Sequence, residues 1–156
     1  METNELDRAS REILEALQAD ARLSTQALAD KVGLSATPVW RRVREMEERG
    51  LIRAHVALLD REKLGLSICV LANVSLVRHS EGAVEQFERL VSTQREIIEC
   101  HAITGEADYV IKVVAADMKA YDAFLQQHIF KLPGVASVRS NVVLREVKYE
   151  TALPVA

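Results

Sequence analysis

The chain has 156 residues, 49% hydrophobic and 28% charged, with a formal net charge of −3. That length supports one ordinary domain or two small ones, and that composition a packed core under a solvated surface. A globally basic footprint is excluded, so contact with nucleic acid has to be local, and no apolar run approaches the roughly 18–20 residues of a membrane span.

In chain order, the first fifty residues read as three helices. Leu6, Ala9, Ile13, Leu14 and Leu17 share one face of the first. "STQALADKVG" is the second, with Ser24 as N-cap, Leu23 and Leu28 as a hydrophobic staple, and Gly33 as its left-handed stop. "LSATPVWRRVREMEERG" is the third: Ser35 repeats the cap, Leu34 and Val39 the staple, and Pro38 falls in the first turn. Val39, Val43 and Met46 face the other helices. At about 100° per residue, Thr37, Arg41 and Arg44 project on the opposite side with Trp40 on a flank. Gly50 ends the helix, and "LIRAHVALL" reads as a returning strand. Two capped helices joined by a glycine turn, then a strand, predict a winged helix-turn-helix.

"LDREKLGLS" is a connector, after which the period changes. "SICVLANVSLV" is a strand with Val70, Ala72, Val74 and Leu76 on one face. "SEGAVEQFERLVSTQ" is a helix with Val84, Phe87, Leu90 and Val91 inward. "EIIECHAIT" and "DYVIKVVA", separated by "GEA", pair as a hairpin. "DMKAYDAFLQQHIFKL" is a helix with Met118, Tyr121, Leu125, Ile129 and Leu132 inward; "LPGV" breaks it, and "VASVRSNVVLREVKY" is a last long strand. The fold class is therefore α+β: a winged helix-turn-helix at 1–57, a linker at 58–65, and a βαββαβ ferredoxin-like domain at 66–156. Both helices cover one face of the sheet. The other carries Cys69, Leu71 and Val77, or the alternate set, and self-association is its expected cover.

Cys69 and Cys100 lie in apolar runs and read as buried reduced thiols. His55, His79, His101 and His128 are scattered, so no zinc site, other metal site or cofactor is expected. Adjacent in a strand, Cys100 and His101 point to opposite faces and form no nucleophile–base couple; no catalytic residue is expected. The polar, acidic start from Glu2 to Asp7 lacks a secretory signal, which gives a cytoplasmic protein without a membrane partner as the expectation.

The segments "LDRASREILEALQADAR", "VGLSATPVWRRVREMEERGLI", "ALLD", "ECHAITGEADYVIKV", "DMKAYDAFL", "LPGV" and "EVKY", in this order, resemble the leucine-responsive/asparagine-operon regulators (Lrp/AsnC family) over essentially the full chain. By itself "WRRVR" is also compatible with a solvated charged face. The positive charge, however, sits in the N-terminal half of the helix, the half that recognition helices present to bases. With the resemblance, Ser35, Thr37, Pro38, Trp40, Arg41, Arg42 and Arg44 are the expected contacts to double-stranded DNA. Arg41 and Arg44 would meet guanine edges or phosphates, Ser35 and Thr37 phosphates or bases, and Trp40 would pack beside the backbone.

"TGEADY" reads on its own as a turn, with Gly105 for backbone freedom, Asp108 for a local bond and Tyr109 for the core. The resemblance implies a pocket there for a small amino acid or related metabolite. In it, Gly105 lets backbone groups approach the ligand carboxylate, Asp108 receives its ammonium, and Thr104, Tyr109 and Ser140 complete the wall. It also implies a homodimer assembling to a tetramer or octamer, with the effector biasing assembly or DNA binding. The rival is a sirohaem-decarboxylase-like enzyme on the same two-domain layout, against which the intact "TPVWRRVR" argues. A solitary effector-binding module without DNA activity is a third reading.

Overall fold

Asp7 opens the first helix because its carboxylate accepts the Ser10 N–H at 2.8 Å, satisfying one of the donors a helix start leaves orphaned. The computed structural model describes residues 6–77 and 82–155. Helix α1 spans Arg8–Ala19, α2 Thr25–Val32 and α3 Ala36–Glu48. Ser24 caps α2 by accepting from Ala27 N at 3.1 Å, and Gly33 stops it at φ 67°. Ile13, Leu17, Leu28, Ala29, Val39 and Met46 close a small core, with Leu14, Leu23, Val43 and Ile52 packed around it.

The chain divides into two compact units, 59–147 and the flanking segments up to 58 and from 148. Residues 148–155 therefore group with the three helices rather than with the 66–156 domain expected from the sequence. The Gln18 side-chain amide accounts for this by donating to Leu153 O at 3.0 Å and accepting from Leu153 N at 2.6 Å. The expected strand at 51–59 forms no ladder, and Val56 in it is 69% exposed. A strand exists only beside a bonded neighbour, and no described segment of this chain supplies one.

The second unit is built from β1 (Ile68–Leu76), α4 (Ala83–Thr93), β2 (Ile97–Ala102), β3 (Tyr109–Ala115), α5 (Met118–Phe124) with a π turn at Leu125–Ile129, and β4 (Val135–Val142). The sheet order is β2-β3-β1-β4 and every pair is antiparallel, the ferredoxin-like arrangement. Val70, Ala72 and Val74 pair with Val113, Ile111 and Tyr109, and all six face Phe87, Tyr121, Phe124, Leu125 and Ile129. The alternate set, Leu71, Asn73 and Ser75 with Ser137, Arg139 and Asn141, forms the open face.

Several inward assignments shift. In α4, Ala83 and Phe87 are buried while Val84 is exposed, and in α5 Phe124 is buried while Met118 is exposed. Val84 and Met118 both stand in the first turn of their helices, where the chain is still entering the layer. The start of the α4 segment at Ser80 and Glu81, like His79, lies outside the described residues. The last strand ends at Val142 rather than at Tyr149. Cys69 and Cys100 are free thiols, the first buried and the second half-buried.

Phe87 is fully buried and its ring centroid lies 4.8 Å from that of Tyr109. Phe87→Ala is expected to cost the second unit about 3–5 kcal/mol, read as a lower denaturant midpoint in chemical unfolding.

Candidate functional site

The two surfaces the sequence singled out lie one in each unit. In the first, α3 docks through Val39 and Met46 and turns Thr37, Trp40, Arg41 and Arg44 outward, Trp40 remaining 53% exposed. The Arg44 guanidinium sits 5.4 Å from the Trp40 ring centroid and its Nε lies 2.9 Å from Glu48, while Arg41 is 3.7 Å from Glu45. Such exposed i,i+4 pairs contribute about 0.3–0.5 kcal/mol each. They hold both arginines along the helix yet leave them exchangeable to a stronger anion.

Ser35 has the extended backbone of an N-cap but makes no capping bond. The cause is Pro38. A capping hydroxyl accepts from the N–H at N2 or N3; Ser24 takes N3 of α2, and N3 of α3 is a proline with no N–H. Ser35 therefore keeps an uncommitted hydroxyl at an exposed helix start.

Arg42 departs from the expected contact set. Its side chain is 29% exposed and turns to α1, donating from Nη1 to Asp7 Oδ2 at 2.6 Å and to Ser10 Oγ at 3.3 Å. Asp7 thus caps α1 with one oxygen and anchors α3 with the other. Hydrogen bonds from Ser10, with Arg42 adding to them, hold the Asp7 carboxyl below its ordinary 3.8. Those bonds contribute stability above that value and lose it as acid protonates the folded carboxylate.

In the second unit, the β2–β3 connection is longer than "GEA", since pairing stops at Ala102 and Tyr109. Gly105 in it has φ 123°, a conformation side chains resist. Asp108 closes the loop through three bonds: its N–H to Val74 O at 3.0 Å, its carbonyl from Ile103 N at 3.0 Å, and Oδ2 from Leu76 N at 2.7 Å. The β1–β4 register shifts between Ser75 and Leu76, so the carboxylate serves a backbone donor at a ladder irregularity.

The hydroxyls of Tyr109 and Ser140 are both engaged within the unit. The Tyr109 hydroxyl donates to Glu88 at 2.8 Å, and burial, then Glu88, push its pKa up to about 12. The Ser140 hydroxyl lies 2.6 Å from that of Tyr121, on the helix-covered side of β4.

Two cavities flank the loop, and Ile103 lines both. The more apolar one, about 290 Å³, has Leu76, Val77, Val84, Ala102, Asp108 and Tyr109 in its wall. The polar one, about 270 Å³, has Asn73, Glu106, Ala107, Arg139 and Asn141. Arg139 Nη2 meets Glu106 Oε2 at 2.9 Å, with side chains 59% and 83% exposed. At that exposure the pair contributes about 0–1 kcal/mol. Sequence reading missed these residues, although Asn73 in an apolar strand and the polar alternation of "SVRSN" mark them. His101 lies on the open face, 3.6 Å from Glu99, which Lys112 holds below its usual range. No metal-binding cluster occurs among the described residues.

The sequence matches the family model of the Lrp/AsnC ligand binding domain over residues 69–153 and that of winged helix-turn-helix DNA-binding over 6–53. It is 37% identical over 150 residues to the DNA-binding transcriptional activator DecR of Escherichia coli K12, covering 96% of this chain and 99% of that one. It is 41% identical over 149 residues to the leucine-responsive regulatory protein of the same strain, covering 96% and 91%. The transcriptional regulator NMB0573 of Neisseria meningitidis, solved as an L-Met complex, superposes with TM-score 0.92 at 35% identity, covering 96% and 97%.

The three neighbouring arginines separate by experiment. Arg42→Ala is expected to cost roughly 1 kcal/mol, about 4–8 °C in the melting of its unit, whereas Arg41→Ala and Arg44→Ala stay within about 0.5 kcal/mol. The Arg42 deficit should shrink as pH falls through the lowered Asp7 value, where wild type loses the same bond; thermal melts at pH 7 and through the acid range check both.

Proposed function

The chain belongs to the Lrp/AsnC family of transcriptional regulators, and on that premise we propose that residues 24–50 bind duplex DNA while the second unit senses a small amino acid. The observation that carries the DNA reading is the uncommitted outer face of α3. Thr37, Trp40, Arg41 and Arg44 share it, joined by Ser35 at the exposed helix start. Each arginine there has only a weak glutamate partner to give up for a phosphate or a guanine edge. Pro38 contributes by leaving the Ser35 hydroxyl available. Arg42 acts as a positioning residue, fixing α3 against α1.

The effector reading rests on the 104–109 loop. Gly105, at φ 123°, permits close backbone approach; Thr104 flanks it, and Asp108, whose Oδ2 holds Leu76 N–H, has its second carboxylate oxygen to offer a ligand ammonium. Tyr109 and Ser140 support the wall from behind. The open sheet face, with exposed Leu71 beside polar Asn73 and Arg139, suits a second copy of the chain. Linkage then gives the mechanism: an effector bound more tightly in one assembly favours it by the ratio of its affinities. The cytoplasm, where the DNA is, is the place of action.

Arg41→Ala is expected to lower DNA affinity by about 1–3 kcal/mol at one position of the site if the side chain reads a base. If it contacts phosphate, the loss is similar on all sequences and the salt slope falls by about one. Unchanged binding to specific and random DNA would remove Arg41 from the interface. For the effector, Asp108→Asn keeps an acceptor for Leu76 N–H but removes the charge. Its melting temperature should hold while affinity for the best amino acid in a thermal-shift panel falls more than tenfold; wild-type affinity would make Asp108 a loop clasp only.

A further inference from the structure

The two outward arginines of α3 are held in different ways. Thr37, Trp40 and Arg44 follow at i, i+3 and i+7 and form one stripe of the helix, while Arg41 begins the neighbouring row with Glu45. The Arg44 guanidinium lies over the Trp40 ring at 5.4 Å from its centroid, and its Nε donates to Glu48 at 2.9 Å. Ring and carboxylate together fix the guanidinium plane and leave the Nη pair for a further acceptor. Arg41 has no ring beside it; its Nε is 3.7 Å from Glu45 and its side chain is 70% exposed.

That difference sorts the two by what each can recognise. A guanine offers O6 and N7 side by side in the major groove, and a fork whose plane is already set loses little freedom in taking both. A phosphate asks only for charge, which Arg41 supplies without a fixed plane. The ring has chemistry of its own. Trp40, the single tryptophan of the chain, stays 53% exposed on a helix face that is otherwise polar. The apolar feature of the major groove is the C5-methyl of thymine. Base pairs succeed one another about every 3.4 Å, so groups 5.4 Å apart meet pairs within two steps of each other.

On the reading that residues 24–50 bind duplex DNA, we infer that Trp40 and Arg44 read sequence as one unit. The ring packs on a thymine C5-methyl, and the guanidinium takes O6 and N7 of a guanine within two base pairs of it. Arg41 neutralises a phosphate. A ring that only shielded the guanidinium would be indifferent to the methyl, and this separates the two roles.

The full chain first enriches its preferred sites from a pool of duplexes with a randomised core. Each thymine of the enriched site is then replaced by uracil, which removes the methyl and keeps the pairing. Wild type should lose about fourfold in affinity at one thymine position, the worth of one buried methyl group. Trp40→Ala should bind the thymine and uracil duplexes alike, and Trp40→Phe, with an apolar ring still in place, should keep the difference. Arg44→Ala should lose the guanine preference beside that thymine, about fivefold to a hundredfold. Arg41→Ala should weaken all duplexes equally, with a salt slope lower by about one. Uracil tolerated by wild type at every thymine, an equal uracil penalty in wild type and Trp40→Ala, or guanine preference retained by Arg44→Ala overturns the inference and leaves DNA binding by residues 24–50 standing. So does a chain that binds duplexes without enriching any sequence. A chain that binds no duplex even at low salt overturns the DNA reading together with the inference.

Discussion

The register of β1 governs the second unit. As an inner strand it is bonded to β3 on one side and β4 on the other, and its alternation assigns every residue of the sheet to a face. Val70, Ala72 and Val74 lie under the helices, which sends Asn73 and Ser75 to the opposite side, next to Arg139 and the Glu106 carbonyl. The end of the same strand offers Leu76 N–H to Asp108. A slip by one residue would exchange core and cavity in a single step. The apolar burial that fixes this register is also what aligns the loop, the two cavities and the open face.

The helical unit shows the complementary economy, in which one carboxylate and one missing N–H sort the side chains of α3. Asp7 draws Arg42 inward, leaving Arg41 and Arg44 as the cations of the outer face, and Pro38 leaves Ser35 without its usual partner. A chain of negative total charge thus carries a local row of cations on one helix face. Each outward arginine is balanced by Glu45 or Glu48 one turn further on. The helix is nearly neutral as a whole and electropositive at the end nearest its N-terminus, where backbone N–H groups add to the field.

Periodicity, caps and glycine stops made the three helices, the four strands and their order legible from sequence, because those signals are local. What escaped depends on contacts far along the chain. Arg42 sits among arginines of one helix, and Asp7, thirty-five residues earlier, with Ser10 distinguishes it. The Glu106–Arg139 pair joins residues thirty-three apart that the sheet brings together. The segment at 51–59 has strand composition, but composition does not supply the neighbour that a ladder needs. In the loop, Gly105 and Asp108 stood out by residue type, while the hydroxyls of Tyr109 and Ser140 meet Glu88 and Tyr121, which no spacing rule connects to them.

The bracket formed by Gln18 around the Leu153 backbone has a topological consequence. The helical unit is discontinuous in sequence, and the ferredoxin-like body is an insertion between its two pieces rather than an appendage after them. A fragment ending at residue 58 would strand an amide side chain that natively pairs with main chain, in the manner of a β-bridge built by a glutamine. The helical unit is therefore whole only when residues 148–155 accompany residues up to 58, and truncation at either end removes part of it.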